Sequence, residues 1–370
     1  MTQTSTTDPS PKHPEVMVRQ EQPFNAETPL ELLRRDYVTP RERFYVRNHG
    51  SLPAVDPATY RLTVDGLVSR PLELSLEQLK SEFPRVEVVA TLYCAGNRRR
   101  ELAEVREMPG KIPWDAGAAG NARWAGAPLR EVLRRAGVRE EARHVAFTGL
   151  DEDEESGTDT HYGGSIPVEK GSSEDVILAY EMNGEPLTPE HGFPLRVVVG
   201  GYIGARNVKW LSGISPQRNP SDNHYQTREY KLFPPHVTAE SADFSRGEML
   251  GEIPLNSVVC DPADGVVLPA GPVPLRGYAI AGGARRVERV EVSGDGGKTW
   301  VEAGLEEHGD HATAWCFWKA SLNLAPGANQ LVARATDSAG GTQPETIEEV
   351  WNFLGYANTA WHRVNVRAKG

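Results

Sequence analysis

The last third of the chain is a series of short alternating segments separated by turn residues, and this pattern most restricts the possible fold. Apolar and polar residues alternate in stretches such as "VPLRGYAIAG" and "RRVERVEVS", with turn residues recurring about every 8 to 12 positions. The segment "SGDGGKTW" has the glycines and the aspartate of a hairpin turn. Strands of this length and spacing predict an antiparallel β-sandwich.

The preceding part of the chain has a different pattern, in which strands are mixed with amphipathic helices. The run "VEVVATLYC" is rich in β-branched residues, whereas "LSLEQLKSEF" and "APLREVLRRAGV" have helical spacing. A polar, irregular connector at 216–235 separates the two patterns. Because 370 residues exceed one ordinary hydrophobic core, we expect two domains of an α+β protein. They are a mixed α/β domain at 26–235 and an all-β sandwich at 236–370, after a polar arm at 1–25.

The charge and composition of the chain limit its partners. A formal net charge of −11 argues against nucleic acid or an anionic membrane surface as the main partner. No stretch approaches the roughly 20 apolar residues of a membrane span, and the first residues show no export signal. Three scattered cysteines do not make a disulfide framework or a zinc motif. We therefore expect a cytoplasmic protein in a reducing compartment.

One of these cysteines, Cys94, stands directly before small residues and three arginines in "TLYCAGNRRR". The simpler interpretation is a buried core cysteine, the commonest environment of a free thiol. The alternative is a metal-binding thiolate, because neighbouring arginines and a helix N-terminus lower the pKa of a thiol. A single thiolate without a second cysteine or histidine at zinc spacing suits a metal whose other ligands belong to a cofactor.

Two further segments place cations among apolar residues. In "FYVRNHG", Arg47 and His49 are two residues apart, so an extended backbone directs them to the same face. The segment "EHGFPLRVVVGGYIGARNVKW" carries the cations His191, Arg196, Arg206 and Lys209 but few carboxylates. Buried cations require anionic partners, and guanidinium groups suit oxyanions. Together with Cys94 these segments predict an anionic cofactor and an anionic substrate in one cleft.

Several longer motifs resemble the sulfite oxidase family of molybdopterin enzymes. They are "FYVRNHG", "CAGNRR", "HYGGSIP", "LAYEMNGEPLTPEHGFPLRVVV", "GARNVKWL" and "AWHRV". The resemblance extends from about residue 22 to 367 and implies a molybdenum-cofactor domain followed by an immunoglobulin-like domain that forms a homodimer. Since no cytochrome b5 segment is visible, it also implies a form without haem that passes electrons to an external acceptor, a cytochrome or oxygen.

The resemblance also implies a role for particular residues of this chain. Cys94 matches the molybdenum ligand, and Tyr230 matches an active-site tyrosine. Arg47, Arg99 and Trp114 match residues of the substrate pocket. The implied cofactor-binding positions are Tyr45, Arg47, Asn48, His49, Asp151, His191, Arg196, Asn207 and Lys209.

One position departs from the family pattern. Sulfite-oxidising members usually carry an arginine before the glycine of "WNxxG", where this chain has Leu354. An apolar residue there is closer to the nitrate reductases of the family, although these tend to have asparagine at the position of Tyr230. We expect oxidation of sulfite to sulfate. The alternatives are a nitrate reductase-like enzyme and a molybdopterin-binding protein of low turnover.

Overall fold

The computed structural model describes residues 8–152, 161–309 and 312–370. In the first 235 residues the strands are β1 Met17–Gln20, β2 Asn25–Glu27, β3 Leu62–Val64, β4 Leu72–Leu74, β5 Val86–Tyr93, β6 Ala119–Pro128, β7 His144–Glu152, β8 His161–Pro167, β9 Val176–Met182, β10 Glu185–Pro186, β11 Arg196–Val199, β12 Leu211–Gln217 and β13 Lys231–Leu232. The α-helices are α1 Leu30–Leu33, α2 Leu76–Glu82, α3 Arg99–Val105, α4 Leu129–Ala136 and α5 Val168–Gly171. Short 3₁₀ turns occupy Arg41–Arg43, Pro189–His191 and Gly204–Arg206, and a π-helical turn occupies Tyr225–Glu229.

Two five-stranded sheets form this part of the molecule. In the first, the strand order is β10-β9-β6-β5, and β11 also pairs with β9. In the second, the order is β4-β3-β12-β7-β8. The predicted strand before Cys94 is β5, which pairs with β6 in antiparallel register, Tyr93 opposite Ala119. Its last five residues are buried, so the strand places Cys94 inside the protein.

The two predicted amphipathic helices are confirmed as α2 and α4. Ser75 caps α2 and forms a capping box in which its side chain and that of Gln78 satisfy each other's backbone amide. Pro128 precedes α4, and Gly137 ends it with a φ of 68°, a left-handed conformation that favours glycine. Both helices bury one apolar face, as their sequence spacing predicts.

From residue 8 onward, the predicted N-terminal arm lies along the body of the protein. Residues 1–7 lie outside the described part, and β1 pairs with β2 in an antiparallel hairpin. The backbone amide of Ser10 donates to Glu190, and the Lys12 ammonium contacts His191. These contacts bring the start of the chain to the segment that carries the third cationic cluster.

The C-terminal part consists of two packed sheets, as the alternating pattern predicts. Strand β14 Glu248–Met249 precedes these sheets and pairs with β13. The strands of the two sheets are β15 Asn256–Asp261, β16 Val267–Pro269, β17 Gly271–Ile280, β18 Val287–Ser293, β19 Val301–Glu302, β20 Gly304–Leu305, β21 Cys316–Leu324, β22 Gly327–Asp337 and β23 His362–Lys369. One sheet has the order β15-β17-β21-β20 and the other β16-β23-β22-β18-β19. The predicted hairpin joins β18 to β19. Alternate residues of β23 are buried, in agreement with a strand that has one face on the core.

The two parts of the molecule share a hydrophobic core. Tyr278 and Trp315 of the C-terminal sheets belong to the same buried cluster as Tyr93. The Tyr278 hydroxyl donates to the carbonyl of Ala116 over 2.9 Å and accepts from Asn97 over 3.1 Å. Cys260 is buried in this cluster, as expected of a core cysteine, whereas Cys316 packs at the edge of the sandwich core. Within the described residues, no helix combines the length and apolar character that a membrane crossing requires.

Candidate active site

Strand β5 and the turn that follows it fix the position of Cys94. The amide of Cys94 donates to the carbonyl of Ala118 over 3.0 Å, and its carbonyl accepts from the amide of Asn97 over 2.9 Å. The side chain of Asn97 in turn accepts from the amide of Ala118. The thiol is 6% exposed and lines a cleft, so it is buried without being sealed off from a ligand.

The three arginines after Cys94 have different roles. Arg98 is fully buried at a φ of 66°, and its guanidinium donates to Glu101, to Asn256 and to the carbonyl of Ala360. These bonds join the turn after β5 to the C-terminal part and hold a backbone conformation that is unfavourable for a residue other than glycine. Arg100 is exposed and pairs with Asp115.

Arg99 folds back toward the thiol. Its Nε donates to the carbonyl of Gly355 over 2.9 Å, and Nη1 donates to the carbonyl of Ile112 over 3.1 Å. A methyl group on Gly96 would lie 2.3 Å from its Nη2, so the glycine leaves the space that the guanidinium fills. Arg99 is thus a buried cation with no carboxylate among these bonds.

The thiol of Cys94 does not have the lowered pKa that the sequence suggests. Burial raises its pKa, and the positive charges of Arg99 and Arg47 oppose this effect without overcoming it. The expectation is therefore wrong for the protein alone, because the removal of water from the thiolate outweighs the attraction of two nearby cations. Coordination to a metal ion removes the proton of a thiol directly.

The second predicted cluster joins Cys94 through a chain of polar side chains. The Arg47 Nη2 lies 2.9 Å from His49 Nδ1, which confirms that the two side chains share a face. His49 Nε2 lies 2.8 Å from the hydroxyl of Tyr230. Because a guanidinium can only donate, Nδ1 is the acceptor and a neutral His49 donates from Nε2 to Tyr230. The Tyr230 oxygen is thus the acceptor of this bond.

The third cluster holds two cations with main-chain oxygens. Arg196 donates from Nη1 to the carbonyl of His191 and from Nη2 to the carbonyl of Asn207, each over 3.0 Å. Its Nε is buried and has no partner within the described part of the chain. Burial lowers the pKa of Arg196 to about 10. Lys209 donates to the side chain of Asn48 and to the carbonyl of Glu190, and burial lowers its pKa well below the usual value.

His191, in the same cluster, contacts Lys12 through its imidazole ring. Lys12 Nζ lies 3.0 Å from Nε2, so the neutral ring accepts there. Burial lowers the pKa of His191 well below 6.5, and the charges of Lys12, Arg196 and Lys209 lower it further. Sequence reasoning missed Lys12, which lies in a segment with no helical or strand periodicity. It also missed Glu190, although that residue immediately precedes His191.

One cleft, of about 640 Å³ when its opening to solvent is included, collects all of the predicted cofactor-binding residues. The predicted residues that line it are Tyr45, Arg47, Asn48, His49, Cys94, Asp151, His191, Arg196, Asn207, Lys209 and Tyr230. Arg99 and Trp114, predicted for the substrate pocket, do not line this cleft: the Arg99 guanidinium lies behind Gly96, and Trp114 is fully buried in the apolar cluster that contains Cys94. Arg206 is not part of it and lines a separate cavity near Gln226 and Leu250.

This cleft has two sides of different chemistry. The thiol side consists of Cys94, Arg47, Arg99, His49 and Tyr230, and the lysine side consists of His191, Arg196, Asn207 and Lys209. The lysine side combines buried cations, main-chain acceptors and an orphaned guanidinium nitrogen. Such a donor set fits a phosphorylated, anionic cofactor, whereas the single thiol of the other side fits one bond to its metal.

Comparisons with known proteins agree with this geometry. Residues 49–225 match the family model of the oxidoreductase molybdopterin binding domain, and residues 248–369 match that of the Mo-co oxidoreductase dimerisation domain. The chain is 46% identical to the sulfite oxidase of Gallus gallus, over 95% of this chain and 78% of that protein. It is 42% identical to the sulfite oxidase of Arabidopsis thaliana, over 96% of this chain and 95% of that protein.

A solved structure shares the architecture. The sulfane dehydrogenase SoxCD from Paracoccus pantotrophus superposes with a TM-score of 0.79 at 27% sequence identity. The superposition covers 94% of this chain and 85% of that one. The mixed helix-and-sheet part and the sheet-rich C-terminal part therefore occur together in a known molecule.

Proposed function

The chain belongs to the sulfite oxidase family of molybdopterin oxidoreductases, and on this premise we propose that it oxidises sulfite to sulfate. Sulfite and one water give sulfate, two protons and two electrons. The two electrons would go on to an external acceptor, a cytochrome or oxygen. The single observation that carries the proposal is the convergence of Arg47 and Arg99 on the buried Cys94 thiol at one side of a cationic cleft.

The residues of the cleft fit the cofactor that this function requires. Cys94 would bind the metal, and the lysine side would hold the pterin and its phosphate through Arg196 and Lys209. Asp151, Tyr45 and Asn48 line the same cleft and would contact the pterin. The molybdenum cofactor, when bound, supplies a centre that accepts two electrons from sulfite.

The chain's own residues would bind and orient the anion. Arg99 is held by two main-chain carbonyls, so its charge is fixed in place before the substrate arrives. Arg47 has its guanidinium held by His49 and by the carbonyl of Asn48. Fixed cations need no reorganisation when a dianion binds, and they favour its approach from solution.

Tyr230 would act as a neutral proton donor on the thiol side. It accepts from His49 Nε2 over 2.8 Å, which fixes the position of its oxygen. The ring is 4% exposed, so water has little access to this bond. A hydroxyl held in this way orients a bound oxyanion without adding negative charge beside it.

Steady-state assays of the molybdenum-loaded protein test the proposal. With sulfite as donor and ferricyanide as acceptor we expect turnover, and with nitrate and reduced viologen we expect much slower turnover or none. A fully loaded sample that does not turn over sulfite would refute the proposal. Nitrate reduction in that sample would favour a nitrate reductase, to which Leu354 is closer, and inactivity with both would favour a binding protein of low turnover.

The assembly of the protein is a further part of this proposal. We infer a homodimer formed through the C-terminal sandwich, because residues 248–369 match a dimerisation domain. Sedimentation of the purified protein should give the mass of two 40.6 kDa chains. The external electron acceptor, the cytoplasmic location and the absence of haem stay predictions of the sequence.

A further inference from the structure

A group of three polar side chains lies next to the position where an arginine was expected. Leu354 itself is 6% exposed and belongs to the main hydrophobic cluster, so it brings no charge to the site. Two residues further on, Tyr356 is buried with its hydroxyl directed at a carboxylate. That carboxylate belongs to Glu229, which also binds Lys111.

The distances in this group are those of direct hydrogen bonds. Glu229 Oε2 accepts from Lys111 Nζ over 3.0 Å and from the Tyr356 hydroxyl over 3.0 Å. Burial opposes the ionisation of Glu229, yet the charge of Lys111 and the two hydrogen bonds hold its pKa below the ordinary value. Glu229 is thus a carboxylate anion beside a pocket that is expected to bind an anion.

Tyr356 also contacts two residues of the thiol side. Its ring stacks on the ring of Tyr230, with centroids 5.2 Å apart and planes 29° from parallel. The guanidinium of Arg99 lies 5.1 Å from the centroid of Tyr356. The ring therefore fills the space between the cation and the phenol that would face the substrate.

The chain connects each member of the group directly to that pocket. Lys111 directly precedes Ile112, and Tyr356 directly follows Gly355. The carbonyls of Ile112 and Gly355 are the two acceptors of Arg99. Glu229 precedes Tyr230 in the sequence. Each of the three side chains is therefore one residue away in the sequence from Tyr230 or from a carbonyl that holds Arg99.

We propose that Lys111, Glu229 and Tyr356 form a specificity-determining array that takes the place of the missing arginine. Lys111 neutralises Glu229, which would otherwise repel a dianion, and Tyr356 positions Arg99 against Tyr230. This proposal rests on the proposed function, because it assumes that an oxyanion substrate binds on the thiol side. The ligand class is a small tetrahedral or pyramidal dianion such as sulfate or sulfite.

Sulfate binding to the oxidised, molybdenum-loaded protein tests the array without any turnover. The affinity is obtained from the rise in unfolding temperature across a sulfate titration at constant ionic strength. Lys111→Met should weaken sulfate binding about tenfold, and less at high salt, because it removes the lysine charge at Glu229 and leaves only the more distant His224 ring, 3.9 Å from its Oε1. Lys111→Arg should keep the affinity, since it keeps the charge.

A double variant separates neutralisation from a direct contact between Lys111 and the ligand. Adding Glu229→Gln to Lys111→Met removes the repelling charge and should restore the affinity to within about twofold of the parent. If the double variant binds as weakly as Lys111→Met, Lys111 does not act through Glu229 and the proposal is wrong. Tyr356→Phe keeps the ring and removes one hydrogen bond to Glu229, so we expect a smaller loss of affinity.

The chain offers a matched control for the change of charge. Arg85 pairs with Glu181 on the surface, at the far end of β5 and about 30 Å from Cys94 for an extended strand. Arg85→Met changes the net charge as Lys111→Met does and should leave the sulfate affinity unchanged. An equal effect of both variants would overturn the array.

The experiment also distinguishes failure of the array from failure of the proposed function. If the variants show this pattern of sulfate affinities but the protein does not oxidise sulfite, the array is supported and the proposed function is wrong. If the protein oxidises sulfite but all variants bind sulfate equally well, the proposed function is supported and the array is wrong.

Discussion

On the lysine side of the cleft Arg196 donates its hydrogen bonds to main-chain carbonyls, whereas on the thiol side Arg47 also forms one with a histidine side chain of the pocket. Arg196 is held by the carbonyls of two nearby residues of the chain. Arg47, by contrast, contacts the side chain of His49, while Arg196 and Arg99 each lie over an aromatic ring, that of Trp124 and that of Tyr356. The hydrogen bonds of Arg196 depend on the backbone, whereas that of Arg47 with His49 depends on which side chain lies nearby.

The two sides can therefore change in different ways. A carbonyl is present whatever the residue, so Arg196 keeps its hydrogen bonds as long as the turns around it are kept, and on the lysine side only Lys209 also depends on a side-chain acceptor, that of Asn48. The thiol side can be altered by single substitutions, and Leu354 is such a substitution relative to the family pattern. We therefore expect the lysine side to govern retention of the cofactor and the thiol side to govern the choice of substrate.

The largest effect is expected from Cys94→Ser, which tests whether the thiol side contains the metal ligand. The hydroxyl is a poorer ligand than a thiolate, so we expect sulfite turnover to fall by about a thousandfold or more while the protein stays folded. Cofactor content, measured by metal analysis and pterin fluorescence, should fall less than activity, because the lysine side is intact.

Cys260→Ser is the matched control for this substitution. Cys260 is also buried, but it lies in the core away from the cleft. We expect a loss of stability of about 1 to 3 kcal/mol from a hydroxyl placed among apolar groups, with turnover per bound metal unchanged. Full activity of Cys94→Ser would remove the metal-ligand assignment.

Arg196→Met is expected to have the next largest effect, and it acts on the lysine side. The guanidinium is buried and its hydrogen bonds go to carbonyls rather than to a carboxylate, so the protein without cofactor gains nothing from its charge. We expect pterin to be retained about a hundredfold more weakly, while the cofactor-free protein is as stable as the parent or about 1 to 3 kcal/mol more stable.

Pterin content after gel filtration and urea unfolding of the cofactor-free protein provide the two measurements. Arg130→Met, which removes an exposed arginine paired with Glu174, should change neither. If Arg196→Met retained pterin normally, the lysine side would not be the phosphate-binding side. If it destabilised the cofactor-free protein strongly, Arg196 would be a structural residue.

The sequence predicted the strand that carries Cys94 and the pairing of Arg47 with His49, because both depend on local patterns. β-branched residues identify β5, and the two-residue repeat of an extended segment brings Arg47 and His49 to one face. Both sandwich sheets were likewise predicted from alternation and turn spacing. The residue roles taken from the family resemblance stay predictions until they are tested.

The properties that could not be predicted depend on distant parts of the chain. The pKa of Cys94 is set by burial, which follows from the packing of several strands and not from the adjacent arginines. Lys12 reaches His191 across 179 positions of sequence, and Tyr356 reaches Glu229 across 127. No periodicity or short motif contains contacts of this range, so only the folded structure shows them.

The smallest effect is expected from Leu354→Arg, which restores the family's cation on the thiol side. The new guanidinium adjoins Gly355, whose carbonyl accepts from Arg99. We expect the KM for sulfite to fall about threefold to tenfold through the added charge, at a cost of about 1 to 3 kcal/mol of stability for a cation in a buried position.

Phe353→Arg is the control, because the Phe353 ring packs on Phe233 and Phe244 instead. It should lose stability and leave KM unchanged. An unchanged or higher KM in Leu354→Arg would show that position 354 does not face the substrate and that the array alone sets the charge there.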